Sequence, residues 1–107
     1  MRPDTDHDPR FMVVVAAGVT TLGVDGELDL GSLDALARAL SGAARLTVSE
    51  MVVDLSACRF LCSRSFGLIE AAAHELRERR ARLVVRGQPS SFDRISATVG
   101  TYVFDAL

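Results

Sequence analysis

The chain holds 107 residues, 49% of them hydrophobic and 24% charged, a composition that suits one globular domain and excludes general disorder. Twelve basic residues, every one an arginine, stand against 14 acidic ones for a net charge of -2, which excludes a broad electrostatic attraction to nucleic acid or to an anionic membrane. Two cysteines are too few for a disulfide scaffold.

Met1 to Arg10 carry two prolines, three aspartates and a histidine with no apolar periodicity. This predicts a flexible tail over residues 1–10, ahead of a single domain over residues 11–107. The longest apolar run, Phe11 to Val19, is about half the length a membrane-spanning helix needs. Asp4, Asp6 and Asp8 against Arg2 and Arg10 make the leader unlike a positive secretory one. The expected location is therefore the cytoplasm, where both thiols stay reduced. Phe11 to Ala16 reads as a first strand and Val19 to Val24 as a second, with Gly18 between them marking an antiparallel hairpin.

Asp25-Gly26-Glu27-Leu28-Asp29-Leu30 reads as a polar loop with two apolar anchors. Ser32 then suits the N-cap of a helix over Leu33 to about Ala44, with Leu33, Leu36, Ala37 and Leu40 on its buried stripe. Leu46 to Glu50 is expected to connect. Met51 to Leu55 is an apolar run broken only by Asp54, as befits a strand covered on both faces or central in its sheet. A polar turn with Cys58, Cys62, Ser63 and Ser65 follows, then a helix over about Arg64 to Arg80 burying Ile69, Ala72, Ala73 and Leu76. Leu83-Val84-Val85 is the next strand, ended by Gly87. Pro89 opens a helix over Ser90 to Thr98 with Phe92 and Ile95 facing inward. Gly100 ends it, and Tyr102, Val103, Phe104 and Leu107 are expected to dock a last turn.

The element order predicts an α/β fold: a mixed sheet of four to five strands with helices packed against it. The strand–helix–strand unit over Met51 to Arg86 demands parallel pairing and a right-handed crossover.

Three segments together resemble one family. Gly26-Glu27-Leu28-Asp29, Val52-Val53-Asp54-Leu55-Ser56 and Phe60-Leu61-Cys62-Ser63-Arg64-Ser65-Phe66-Gly67-Leu68 occupy, in order, the places of the polar loop, central strand and signature turn of the STAS domain of bacterial anti-sigma factor antagonists. That turn usually reads phenylalanine, aliphatic, Asp-Ser-Ser-Gly-Leu-Gly. The resemblance covers Phe11 to Phe104. It implies a non-enzymatic module that binds an anti-sigma factor with a kinase-type ATPase domain and frees the sigma factor. It implies phosphorylation at Ser63, which lies on the family's first serine, and places the family's acidic loop residue on Asp29. Cys62 stands where the usual aspartate would be, Arg64 in place of the second serine and Ser65 in place of the following glycine. The implied contact surface is Asp29, Cys62, Ser63, Arg64 and Ser65.

The residues leave other readings open. Ser63 suits a plain helix cap. Cys62 at a helix entry is a candidate redox thiol, which would make the chain a non-phosphorylated sensor or scaffold, while Cys58 reads as a small core residue. A Cys58–Cys62 disulfide would need the loop to fold back. No metal is expected, since His7 and His74 fit no zinc spacing. Ser63-Arg64-Ser65-Phe66-Gly67 partly mimics a nucleophile elbow, but His74 lies roughly 14 Å beyond Ser65 along a helix. Arg77, Arg79, Arg80 and Arg82 read as a solvated helix end diluted by Glu75 and Glu78. No glycine loop for a nucleotide is present, so no cofactor is expected.

Overall fold

The computed structural model describes residues 8–99 and 105–106. Five strands and three α-helices follow one another: β1 (Arg10–Ala16), β2 (Val19–Leu28), a 3-10 turn (Leu30–Ser32), α1 (Leu33–Leu46), β3 (Glu50–Leu61), α2 (Ser63–Glu78), β4 (Arg82–Arg86), α3 (Ser90–Val99) and β5 (Asp105–Ala106). The strands lie side by side in chain order. β1 and β2 are antiparallel, and every later pair is parallel. The α/β architecture and mixed sheet expected from the sequence are thus present.

The β1–β2 hairpin closes on two residues, Ala17 (φ 54) and Gly18 (φ 80). Both take positive φ, as a two-residue turn matching the strand twist requires. Arg10, expected in the tail, already pairs with Asp25. Residues 1–7 of that tail lie outside the described residues.

Two expectations need correction. Asp25 to Leu28 is not loop but the second half of β2, and Ser56 to Leu61 is not turn but the second half of β3. The β2–β3 ladder runs on through register shifts at Gly23/Asp25 and Gly26/Glu27. Such irregularities re-aim side chains without ending the pairing, and burial along β3 loses its alternation after Leu55. In β2 burial still alternates to Leu28, but the inward position at 26 is a glycine and carries no apolar signal. The last expected feature, Gly100 with Tyr102, Val103, Phe104 and Leu107, falls outside the described residues. Asp105–Ala106 pairs with Val84–Val85 as a short fifth strand.

One core holds the domain. Leu22, Val24 and Leu28 of β2, Met51, Val53 and Leu55 of β3, and Leu83 and Val85 of β4 join Leu36 and Leu40 of α1, Phe66, Ile69 and Leu76 of α2, and Phe92 of α3 in a single buried cluster. All three helices therefore cover the same sheet face. Burying each large apolar side chain contributes about 1.5–3 kcal/mol. Phe66 and Phe92 meet with ring centroids 5.0 Å apart and planes tilted by 55°, which locks α3 against α2. On the opposite face Val52 and Val84 pair with each other between two ion pairs, Arg82–Glu50 at 3.0 Å and Arg86–Asp54 at 2.9 Å. Asp54, the one break in the apolar run, also accepts from the Ser56 hydroxyl at 2.6 Å and the Ser56 N–H at 3.0 Å. Those bonds, led by the hydroxyl and joined by Arg86, hold its carboxyl below the usual aspartate range against a partial desolvation.

The helix ends show how local chemistry meets tertiary demand. Ser32 holds the N-cap position of α1, but its side chain does not cap; its hydroxyl donates to the Asp29 carbonyl at 2.9 Å instead. At the end of α2, Arg80 takes φ 63, its N–H reaches the Arg77 carbonyl, and the Ala81 N–H reaches Leu76. This is a Schellman closure with arginine where glycine is usual. Arg79 is exposed, as the sequence suggested, but it also has a structural partner. Its guanidinium donates to the carbonyls of Ala44 (3.0 Å) and Thr47 (3.2 Å), so a cation from α2 satisfies the negative end of α1. We expect Arg79→Ala to cost about 1.5–3 kcal/mol, read as a lowered denaturation midpoint. An unchanged midpoint would show that water replaces the guanidinium without loss.

Candidate functional site

The site is built at the carboxyl ends of β2 and β3, where the two strands finish in register at Leu28 and Leu61. The Leu28 carbonyl is the hub. It accepts the Cys62 N–H at 2.9 Å and the Ser65 hydroxyl at 3.1 Å. One acceptor thus ties the first turn of α2 to the residue just before Asp29. Asp29 in turn accepts the Gly31 N–H at 3.0 Å and so caps the 3-10 turn. Asp29 and Ser63, 34 positions apart in sequence, are held on the same edge of the domain by this bonding.

Cys62 is the N-cap residue of α2 in extended conformation, and Ser63 is the first helical residue. The Phe66 N–H closes the first helical bond on the Cys62 carbonyl. Ser63 is therefore not the cap, and the Cys62 side chain makes no capping hydrogen bond. Helix starts leave backbone N–H groups pointing outward with partial positive charge. Ser63 and Arg64 are exposed, and among the described residues the Ser63 hydroxyl has no hydrogen-bond partner.

The structure brings together four of the five expected contact residues. Asp29, Ser63 and Arg64 are exposed and Cys62 is half-buried. Ser65 is the correction: it is 0% exposed. As the third residue of α2 it turns inward, where its hydroxyl donates to Leu28 and lies 3.3 Å from the Cys62 sulfur. The same burial removes it as the serine of a nucleophile elbow, and His74 stands exposed further along α2.

Cys58 belongs to the core, and desolvation there pushes its thiol above the ordinary range. Both cysteines are free, since the extended end of β3 separates them. Among the described residues, no three or more histidine, cysteine or acidic side chains gather into a metal-binding group. All four residues of the arginine cluster are exposed; Arg79 serves α1 and Arg82 pairs with Glu50.

Two shallow grooves flank the Ser63 turn. One, about 270 Å³, runs between the end of β3 and α3 and is lined by Phe60, Cys62, Ser63, Ser91, Arg94 and Ile95 among others. The Ser91 hydroxyl accepts the Leu61 N–H at 3.3 Å and holds α3 in place there. The other, about 410 Å³, lies between α1 and α2 and is lined by Leu33, Asp34, Ala37, Arg64, Gly67 and Leu68. Sequence reasoning missed Phe60 and Arg94. Phe60, 43% exposed, carried a signal as a large apolar residue three places before Ser63. Arg94 carried none, because α3 comes 30 residues later.

No helix among the described residues is long and apolar enough to cross a membrane. No curated protein sequence matches the chain. Among solved structures, an anti-sigma factor antagonist from Mycobacterium paratuberculosis is similar over 92% of this chain and 81% of its own, with 25% identity and a TM-score of 0.78. The phosphorylated form of the Bacillus cell fate determinant SpoIIAA is similar over 85% of this chain and 84% of its own, with 18% identity and a TM-score of 0.68. A sulfate transporter family protein from Wolinella succinogenes is similar over 81% of this chain and 70% of its own, with 16% identity and a TM-score of 0.64. These last two likenesses speak for the fold alone. The family model described as "Mlab, STAS domain" matches residues 12–102, nearly the whole described domain, and the chain belongs to the STAS domain family.

Proposed function

We propose that this chain is a cytoplasmic anti-sigma factor antagonist. It is a binding module, not an enzyme. It engages an anti-sigma factor bearing a kinase-type ATPase domain, and phosphorylation of Ser63 ends the contact. The observation that carries this reading is the placement of Ser63: exposed, unpartnered among the described residues, first in α2, and flanked by the Asp29 turn and two open grooves. The likeness to the Mycobacterium paratuberculosis antagonist supports it.

The physics of such a switch is local. A phosphoserine adds about 1.5–2 negative charges. Within its own domain that charge faces the positive end of α2 and the adjacent Arg64, so it is tolerated. Inside a protein contact the same charge must be desolvated or must meet the partner's own charges, and the contact weakens. No large conformational change is needed. The test is incubation with the ATPase partner and ATP, followed by intact-mass and peptide mass spectrometry. One phosphate on Ser63, absent from Ser63→Ala, is expected. A phosphate elsewhere, or none, overturns the phosphorylation step.

A second reading rests on Cys62, which stands where the family pattern has an aspartate. In it the chain is a non-phosphorylated sensor or scaffold subunit that responds through this half-buried thiol. Alkylation should label Cys62 at least about tenfold faster than the buried Cys58. The redox reading further requires that mild oxidation of Cys62 change partner capture; unchanged capture rejects it.

A further inference from the structure

β1 stands at the edge of the sheet among the described residues, and it lacks the usual protections of an edge. Such strands are normally blunted by charge, proline or a bulge. From Phe11 to Ala16 there is no charge and no proline, and the pairing with β2 is unbroken in register. Met12, Val13, Val14 and Val15 are 69, 40, 51 and 53% exposed, so apolar side chains face solvent on both sides of the strand.

The hairpin fixes which backbone groups are free. The two-residue turn makes Ala16 and Val19 a hydrogen-bonded pair, and such pairs alternate along an antiparallel ladder. Arg10, Met12, Val14 and Ala16 therefore bond to β2, while the N–H and C=O groups of Phe11, Val13 and Val15 point away from the sheet.

We propose that this edge is a homodimer interface, in which β1 pairs antiparallel with β1 of a second copy about a two-fold axis at Val13. In that register Val13 meets Val13, and Phe11 meets Val15 in both directions. All three outward-pointing residues of each copy are then satisfied. On the alternate positions Met12 meets Val14, apolar against apolar. Arg10, the strand's one charge, faces Ala16, which leaves the two guanidinium groups at opposite ends, roughly 20 Å apart. Slipping by two residues in one direction brings Val15 against Pro9, which has no N–H to give. Slipping in the other brings Phe11 against Ala17, which lies in the turn. The strand is thus complementary to itself in one register, and this favours a second copy as occupant. One strand pair buries less than the ~800 Å² per partner of a standard stable interface, so the dimer is weak and reversible. The two Ser63 turns lie at opposite ends of the joined sheet, and both stay open.

The test uses the full chain. Sedimentation velocity between about 5 and 500 µM, a span of some 3 kcal/mol in association free energy, should show a monomer passing to a dimer. Val13→Glu, which sets two like charges face to face on the axis, should remain monomeric while keeping its circular dichroism spectrum. In wild type, hydrogen exchange at the Phe11, Val13 and Val15 amides should slow with concentration, which gives a readout should the variant fail to fold. A monomer throughout the range overturns the proposal. So does a dimer that a folded Val13→Glu leaves intact, or protection of those amides that does not vary with concentration, as cover by residues 1–9 of the same chain would give.

Discussion

Gly87→Ala should be the most damaging single-methyl change in this domain. Gly87 takes φ 69, and an added Cβ would overlap the Ser56 hydroxyl and lie 2.9 Å from both the Ser56 Cα and N. A left-handed conformation costs a non-glycine residue about 1–2 kcal/mol. The overlap adds about 1–3 kcal/mol more, because the Ser56 backbone belongs to β3 and its side chain is held by Asp54. The sum of about 2–5 kcal/mol is a large share of the ~5–15 kcal/mol that stabilises a typical domain. In urea the midpoint should fall by about 1–3 M. Adding Ser56→Gly should restore only part of the loss, since it removes the hydroxyl and leaves the Cα in place. A midpoint within about 0.3 M of wild type would mean that β4 does not leave the sheet at Gly87 as described.

Ser63→Glu should do the opposite: leave the fold intact and remove the binding. Ser63 is exposed at the start of α2, where a carboxylate gains about 0.3–1 kcal/mol from the helix dipole. Its thermal midpoint should therefore match or slightly exceed that of wild type. In the proposed contact a buried carboxylate must be desolvated, so affinity for the proposed ATPase partner should drop on the order of 100-fold or more. Titration calorimetry with the purified partner separates the two effects. Ser63→Ala should bind within about threefold of wild type, because the hydroxyl has no partner to lose among the described residues.

The residues that announced themselves are those whose role is local. Leu36 and Leu40, or Ile69 and Leu76, repeat at helical spacing and are buried as that spacing demands. Gly18 marked the hairpin turn. What stayed hidden depends on groups far away in the chain. Ser65 looks like any polar turn residue until the Leu28 carbonyl, 37 positions earlier, is placed within its reach. Arg79 is exposed as expected, but its contact shows only when the Ala44 carbonyl at the end of α1, 35 positions back, is set beside it. The second half of β3 reads as a loop because its register shifts break the alternation of burial, and that of β2 because its buried position 26 is a glycine flanked by Asp25 and Glu27. The resemblance implied a contact role for both Ser63 and Ser65, and only Ser63 is exposed. The grooves beside Ser63 were not legible, since α3 and α1 supply their far walls.

The Ser63 turn is proposed as a partner surface controlled by charge at one hydroxyl. The most direct measurement is a pull-down from the native host with wild type, Ser63→Ala and Ser63→Glu as parallel baits. Wild type and Ser63→Ala should capture the same histidine-kinase-type ATPase, and Ser63→Glu should not. Equal capture by all three baits would contradict the proposal, leaving Ser63 an exposed residue of α2 and making Cys62 the position to pursue.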